Sequence, residues 1–158
     1  MKKCQKSKRF CQAVLQVKKM EETVTNGNIH KKLFLIFNHE ITENQAMNAE
    51  KDLGITDIID MPNNLKHIWN QIPAKEKHIA RYLEPIKKWV MAHAGKDDFI
   101  LVQGDFGATY LMVEFALKHG LIPVYSTTVR QAAEFTKPDG SLKTEHIFKH
   151  QLFRKYGF

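Results

Sequence analysis

Phe99-Ile-Leu-Val-Gln-Gly-Asp-Phe-Gly-Ala-Thr-Tyr110 decides the fold, because here an apolar run ends at a Gly-x-x-Gly turn and continues as a helix. The run predicts a buried strand that ends at Gln103, followed by a helix from about Ala108 to His119. Gly104 and Gly107 let the backbone turn tightly, so the free N–H groups of the helix start face an incoming ligand. The stretch therefore predicts a site for a phosphate-bearing ligand. The alternative is that the glycines serve only close packing of strand against helix.

Three more apolar runs have the length of strands: Leu33–Phe37, Ile55–Asp60 and Leu121–Ser126. The first is continuously apolar, which is typical of a strand that is buried on both faces of a parallel sheet. Strands that alternate with helices predict an α/β fold, an open Rossmann-like and mostly parallel sheet with flanking helices. The turn Lys137–Gly140, inside the remaining segment Thr127–Tyr156, predicts a C-terminal β-hairpin.

Helix signals lie between these strands. Thr42 and Gln45 have the spacing of a capping box, and Gly54 provides the stop of the helix that they begin. A second helical pattern, Ile79–Val90, is interrupted by Pro85, which predicts a kink or two abutting helices.

The order of the strands determines where a ligand binds. In the order 2-1-3-4 the topological switch point falls between strands one and three, and such sheets bind ligands there at the carboxyl ends of the strands. Asn38 and His39 then lie beside Gln103–Gly107. The switch point and the glycine turn predict the same crevice.

Positive charge is concentrated at one end of the chain. Residues 1–32 hold nine Lys and Arg against two Glu, whereas residues 33–158 hold fifteen cationic and fifteen acidic side chains. A neutral domain argues against binding to duplex nucleic acid, because each phosphate contact needs a cation. The basic head, with a predicted helix over Arg9–Met20, either touches nucleic acid or is a solvated extension.

The sequence does not support a membrane-spanning protein or a protein stabilised by disulfides. The longest apolar runs are too short to span a bilayer, and the lysine-rich N-terminus has no apolar signal-peptide core. Cys4 and Cys11 fit neither a disulfide framework nor a zinc motif, so we expect free thiols. A cytoplasmic protein without a metal or other cofactor is expected.

Four motifs together resemble one family. They are Leu33-Phe-Leu-Ile-Phe-Asn-His39, Gln103-Gly-Asp-Phe-Gly-Ala-Thr-Tyr110, Gly120-Leu-Ile-Pro-Val-Tyr-Ser-Thr-Thr128 and Ile147-Phe-Lys-His-Gln-Leu-Phe-Arg154. The chain resembles the small stand-alone, CARF-like accessory proteins (Csx-type) of type III CRISPR systems. The resemblance divides it into a basic extension, residues 1–31, and a CARF-like Rossmann domain, residues 32–158.

The resemblance implies a function in antiviral defence. Proteins of that family bind cyclic oligoadenylate messengers, commonly as homodimers, and several are ring nucleases that linearise the messenger. For this chain it implies a homodimer that binds cyclic oligoadenylate, with cyclic tetra-adenylate as the expected ring. A ribose 2′-hydroxyl would attack the adjacent 3′-phosphate, leave a cyclic 2′,3′-phosphate and need no metal; positioning and charge stabilisation would then supply the catalysis.

Candidate residues for this chemistry follow from their side chains. His39 is a candidate general acid or base, because imidazole is the side chain suited to proton transfer near neutral pH, and its alternative is a loop histidine bonded to backbone. Lys149 and Arg154 are the other candidate catalytic residues. The candidate ligand-binding residues are Asn38, Gln103, Gly104, Asp105, Phe106, Gly107, Ala108, Thr109, Ser126, Thr127, Thr128, Arg130 and His150.

Several of these residues have a second interpretation. Asp105 either orients a ribose hydroxyl or caps the following helix. Phe106 and Tyr110 either stack on adenine or belong to the core. His146 and His150 are either ligands or part of a solvated strand face. Two other functions also stay open: a messenger-binding module without catalysis, and an unrelated nucleotide-binding enzyme of the same fold.

Overall fold

The computed structural model describes residues 30–136 and 142–157, with the backbone alone for 133–136 and 142–145. The predictions made for the basic extension, for Cys4 and Cys11 and for the turn Lys137–Gly140 lie outside the described residues. Among the residues described, no helix is long and apolar enough to cross a membrane.

Five strands form one sheet in the order β2-β1-β3-β4-β5. Pairing is parallel except between β4 and β5, which are antiparallel. The mixed α/β class, the predominance of parallel pairing and the expected order of the first four strands are thereby confirmed. The strands are β1 (Lys31–Phe37), β2 (Ile55–Asp60), β3 (Phe99–Gln103), β4 (Ile122–Thr136) and β5 (Leu142–Lys155).

Four α-helices and one 3₁₀ helix connect the parallel strands. They are α1 (Glu43–Leu53), α2 (Asn63–Asn70), the 3₁₀ helix (Ala80–Leu83), α3 (Glu84–His93) and α4 (Phe106–Lys118). The predicted capping box of Thr42 and Gln45 begins α1, and Gly54 ends it with a left-handed backbone, φ 68°. Pro85 lies in the first turn of α3, directly after the 3₁₀ helix, so the interrupted pattern is two abutting helices.

The two faces of the sheet carry two hydrophobic clusters. In β1, Phe34 and Ile36 pack with residues of α2, α3 and α4, such as Met112. Leu33 and Leu35 point to the opposite face and pack with Ala49 of α1 and the end of β5. Since successive side chains of a strand alternate between faces, the continuous apolar run reflects burial on both sides, as predicted.

The end of β4 and the start of α4 differ from the predicted boundaries. β4 does not end at Ser126 but continues to Thr136, because antiparallel pairing with β5 extends the ladder after pairing with β3 ends at Val124. Helix α4 begins at Phe106 rather than near Ala108, because the side chain of Asp105 caps it by accepting a hydrogen bond from the Ala108 N–H.

Candidate functional site

A glutamine side chain extends the sheet where β3 ends. The Oε1 atom of Gln103 accepts a hydrogen bond from the Ser126 N–H at 2.9 Å, and its Nε2 donates to the Ser126 carbonyl at 3.3 Å. A side-chain amide has the donor and acceptor of a peptide group, so Gln103 bonds to the edge of β4 as another strand residue would. Gln103 therefore anchors β4 at Ser126, on the face that α1 covers.

Ser126 is the buried centre of a polar network. It is 6% exposed. Its Oγ accepts a hydrogen bond from Gln45 Nε2 at 3.1 Å and lies 2.7 Å from His150 Nδ1. The other ring nitrogen, Nε2, lies 3.1 Å from Asn48 Oδ1, and Asn48 Nδ2 donates to the carboxylate of Asp52. The network connects β4 and β5 to α1.

A β-bulge brings His150 to this network. Ser126 pairs with Phe153, whereas Thr128 pairs with His150, so Thr127 alone lies opposite Gln151 and Leu152. The Thr127 hydroxyl donates to the Leu152 carbonyl at 3.0 Å and accepts from the Leu152 N–H at 3.3 Å, so it bonds backbone groups that the bulge takes out of the ladder. The extra residue turns the His150 ring toward Ser126.

Burial affects the charge of His150. Its ring packs against the ring of Phe153, with the ring centres 4.8 Å apart. Desolvation in this position lowers the pKa of His150 below its ordinary value of 6.5. The imidazole is therefore neutral at neutral pH, so one of its ring nitrogens accepts a hydrogen bond and the other donates one.

A groove of about 480 Å³ separates the start of α1 from β5. Phe148, which is 63% exposed, and Lys149 lie on the β5 side together with His150. Thr42 and Asn44 lie on the side of the first helical turn. The remaining lining residues are Gln45, Thr128 and Gln151. The groove combines an exposed aromatic ring with helix-start donors, two features that suit a nucleotide base and phosphate. Lys149 pairs with Val129, so alternation along the strands turns its side chain away from the face of Thr128 and His150.

The glycine turn is built differently from the predicted phosphate cradle. The Asp105 carboxylate occupies the start of α4, so a bound anion would meet negative charge there. A Cβ on Gly104 would come within 2.8 Å of the Trp69 ring, and the Trp69 Nε1 donates to the Gln103 carbonyl at 3.1 Å. For Asp105 the structure shows helix capping, and for Gly104 close packing. Thr109 keeps a buried hydroxyl without a hydrogen-bond partner among the described residues.

The other predicted residues are spread over two faces. Asn38 and His39 are exposed after β1, where the His39 ring lies 5.3 Å from the ring of Phe37, the residue paired with Gln103. Arg154 lies against Tyr125, donating to its hydroxyl at 3.1 Å. Because side chains alternate along β4, Tyr125 and Ser126 face opposite sides of the sheet, which separates Arg154 from the groove.

The exposure of several side chains distinguishes between the two interpretations that the sequence left open for each of them. Phe106 is 95% and Tyr110 66% exposed, so neither belongs to the core, and their rings are accessible one helical turn apart. His146 and Arg130 are exposed on the hairpin, whereas His150 is half-buried. Among the described residues, no three His, Cys, Asp or Glu side chains are grouped as a metal site would require.

Sequence reasoning missed the contribution of α1. Gln45 was considered only as part of the capping box, yet its side chain also donates to Ser126. Gln45, Asn48 and Asp52 are spaced by three and four residues, which places them along one face of the helix. This polar stripe beside the buried Ala49 was the available signal.

The chain is a mixed α/β protein with a polar groove between a helix and its last strand. Comparison with known sequences places it in a family. The chain belongs to the family described as "Uncharacterized protein MJ1673 family", which matches residues 31–154, from the first residue of β1 to Arg154. Uncharacterized protein MJ1673 of Methanocaldococcus jannaschii is 46% identical over 125 residues, which is 79% of this chain and 96% of that protein. No solved structure matches the chain.

Proposed function

We propose that this protein binds a cyclic oligoadenylate messenger, cyclic tetra-adenylate, in a Rossmann-like, CARF-like domain and cleaves it as a metal-independent ring nuclease. In this proposal it acts in the cytoplasm as a homodimer and switches off type III CRISPR signalling. The sequence resemblance is the reason for proposing this messenger, and the groove is the proposed binding place for part of it.

The observation that carries the proposal is the groove between α1 and β5. It brings the exposed Phe148 ring beside the first turn of α1, with Lys149 at the border of the groove. A phosphate is stabilised by a nearby cation and by helix-start N–H groups, and an adenine stacks on an aromatic face. The groove has room for part of a ring, so a complete messenger would extend beyond it. An even-numbered ring has two-fold symmetry, which fits a site shared by two copies of the chain.

The chemistry needs positioning more than strong acids and bases. A 2′-hydroxyl held in line with its own phosphate attacks phosphorus, the P–O5′ bond breaks, and the products are a cyclic 2′,3′-phosphate and a 5′-hydroxyl. In this proposal the phosphate oxygens are contacted by Thr128 and Lys149, which are both lining residues of the groove. His39 is the candidate for proton transfer, because His39 is exposed at the same end of the sheet.

One observation favours the second candidate function, a messenger-binding module without catalysis. Both ring nitrogens of His150 are within hydrogen-bond distance of protein atoms, Ser126 Oγ and Asn48 Oδ1, so this groove histidine is not free to transfer a proton. An unrelated nucleotide-binding enzyme of the same fold is the third candidate.

Product analysis distinguishes these functions. The purified protein is incubated with cyclic tri-, tetra- and hexa-adenylate in EDTA, and the products are separated by chromatography and identified by mass. A ring nuclease yields linear products that end in a cyclic 2′,3′-phosphate. A binding module retains the ring uncut at equimolar protein, whereas neither binding nor cleavage of any ring contradicts the proposal.

A further inference from the structure

We propose that Asn48 and Asp52 are positioning residues that hold His150 in one tautomer and thereby fix the Phe148–Lys149 wall of the groove against α1. The assignment of this wall to a messenger rests on the proposed function. The positioning of His150 by Asn48 and Asp52 concerns the protein without ligand and does not depend on the proposed function.

The direction of each hydrogen bond follows from two groups with only one possible role. The Thr42 backbone N–H can only donate, and it bonds Gln45 Oε1 at 2.9 Å, which turns Gln45 Nε2 toward Ser126. Ser126 Oγ accepts that bond, and its own hydrogen stays free to be donated to His150 Nδ1. An unprotonated Nδ1 matches this end of the chain of bonds.

The other end of the chain of bonds gives the same answer. The Asp52 carboxylate can only accept, so it takes a hydrogen bond from Asn48 Nδ2 and leaves Asn48 Oδ1 facing His150. An oxygen at that position requires a hydrogen on His150 Nε2. Donors and acceptors match at every contact from Thr42 to Asp52, with His150 as the Nε2–H tautomer.

This chain of bonds acts next to an interruption in the sheet. Pairing of β4 with β3 ends at Val124, and the bulge at Thr127 interrupts the ladder between β4 and β5. His150 bonds Asn48 of α1 directly after this interruption. Because Lys149 precedes His150 in the backbone, loss of the Asn48 contact releases the wall on which Lys149 lies.

The tautomer is tested first, by long-range ¹H–¹⁵N NMR of the histidine rings without ligand. We expect the Nε2–H form of His150 in the wild-type protein. Asp52→Ala removes the acceptor that orients the Asn48 amide, so we expect a mixture of tautomers. Glu50→Gln, an exposed change on the same helix, is the control and leaves the tautomer unchanged. An Nδ1–H form in the wild type, or no response to Asp52→Ala, would overturn the proposal.

The wall is tested next by amide hydrogen exchange of Phe148–Gln151. Asn48→Ala should raise exchange there about tenfold or more relative to the β1 core, because local opening becomes easier. Asn48→Asp keeps an acceptor for His150 Nε2 and should restore much of the protection. Unchanged exchange in a folded Asn48→Ala protein would contradict the positioning role.

Ring binding is measured separately with cyclic tetra-adenylate. Asn48→Ala should weaken binding roughly tenfold, and the effects of Asn48→Ala and Lys149→Ala should be less than additive, because both act through the same wall. Full additivity would show that Asn48 does not act through Lys149. If the wild-type protein binds no ring, the proposed function fails, while the tautomer and exchange results still decide the positioning of His150.

Discussion

Gly104 lies directly against the indole ring of Trp69, at a distance that leaves no room for a methyl group. A Cβ built on Gly104 would come within 2.8 Å of Trp69 Cε2 and Nε1. Trp69 is itself buried and donates to the Gln103 carbonyl. The first glycine of the turn is therefore required for the close packing of α2 against the end of β3.

The two glycines should consequently differ in their tolerance of alanine. Gly104→Ala should destabilise the protein by about 1–3 kcal/mol, the usual effect of overpacking. Gly107→Ala should be neutral or stabilising, because its Cβ would lie 3.4 Å from Asp105 Oδ1 and 3.5 Å from Ile79 Cδ1, and helices favour alanine over glycine. Urea denaturation of the two variants measures the difference. Equal stability would show that the Trp69 ring can move aside.

Stability should fall in mild acid because of His150. Its pKa is lower in the folded protein than in the unfolded chain, so the unfolded state binds more protons as the pH falls. The stabilisation that comes from the neutral imidazole is fully present above about pH 6.5 and is lost between there and the lower folded pKa. His150→Gln should show a smaller change of melting temperature between pH 7.5 and 5.5 than the wild type. An unchanged pH dependence would contradict the role of His150.

Ring binding should depend on Lys149 more than on Arg154. Lys149 is among the residues that line the groove, whereas Arg154 is not and donates to the Tyr125 hydroxyl instead. Lys149→Ala should weaken binding of cyclic tetra-adenylate roughly tenfold or more, and Arg154→Ala should weaken it less. Lys88→Ala on α3 is the matched control for loss of one positive charge. Calorimetric titration compares the three variants, and equal losses would place the ligand elsewhere.

Cleavage should depend on the ribose 2′-hydroxyl and on His39. EDTA should leave the rate unchanged, and a 2′-deoxy ring should bind without being cut, because the internal nucleophile is missing. His39→Ala should slow cleavage about 10²-fold if the imidazole transfers a proton, with little change in binding. Single-turnover assays separate the two effects. A normal rate in His39→Ala would remove His39 from the mechanism.

The sequence predicted the parts of the fold that depend on local pattern. The Thr42 capping box, the stop at Gly54 and the break at Pro85 are visible within a few residues. The order 2-1-3-4, on which the predicted position of the crevice depended, is one that the general rules of connection allow, and the structure has it. These features need no knowledge of distant partners.

The network at the candidate site could not be predicted in this way. His150 and Asn48 are 102 residues apart in the sequence, and their contact depends on a one-residue bulge opposite Thr127. A slip of one residue changes the face on which every later side chain lies. The sequence predicted His150 as a ligand residue, yet the partners that hold its ring follow only from the register of β4 and β5.

The side-chain amide of Gln103 lets β3 bond to β4 beyond the point at which the β3 backbone leaves the sheet. The backbone leaves the sheet at Gly104 to start a helix, while the side chain continues to bond β4 in its place. A glutamate would lose the donor and an asparagine would be one carbon too short, so few substitutions could preserve both connections. Because the side chain of Gln103 bonds β4, the backbone can turn into the helix at Gly104 without ending the connection between the two strands.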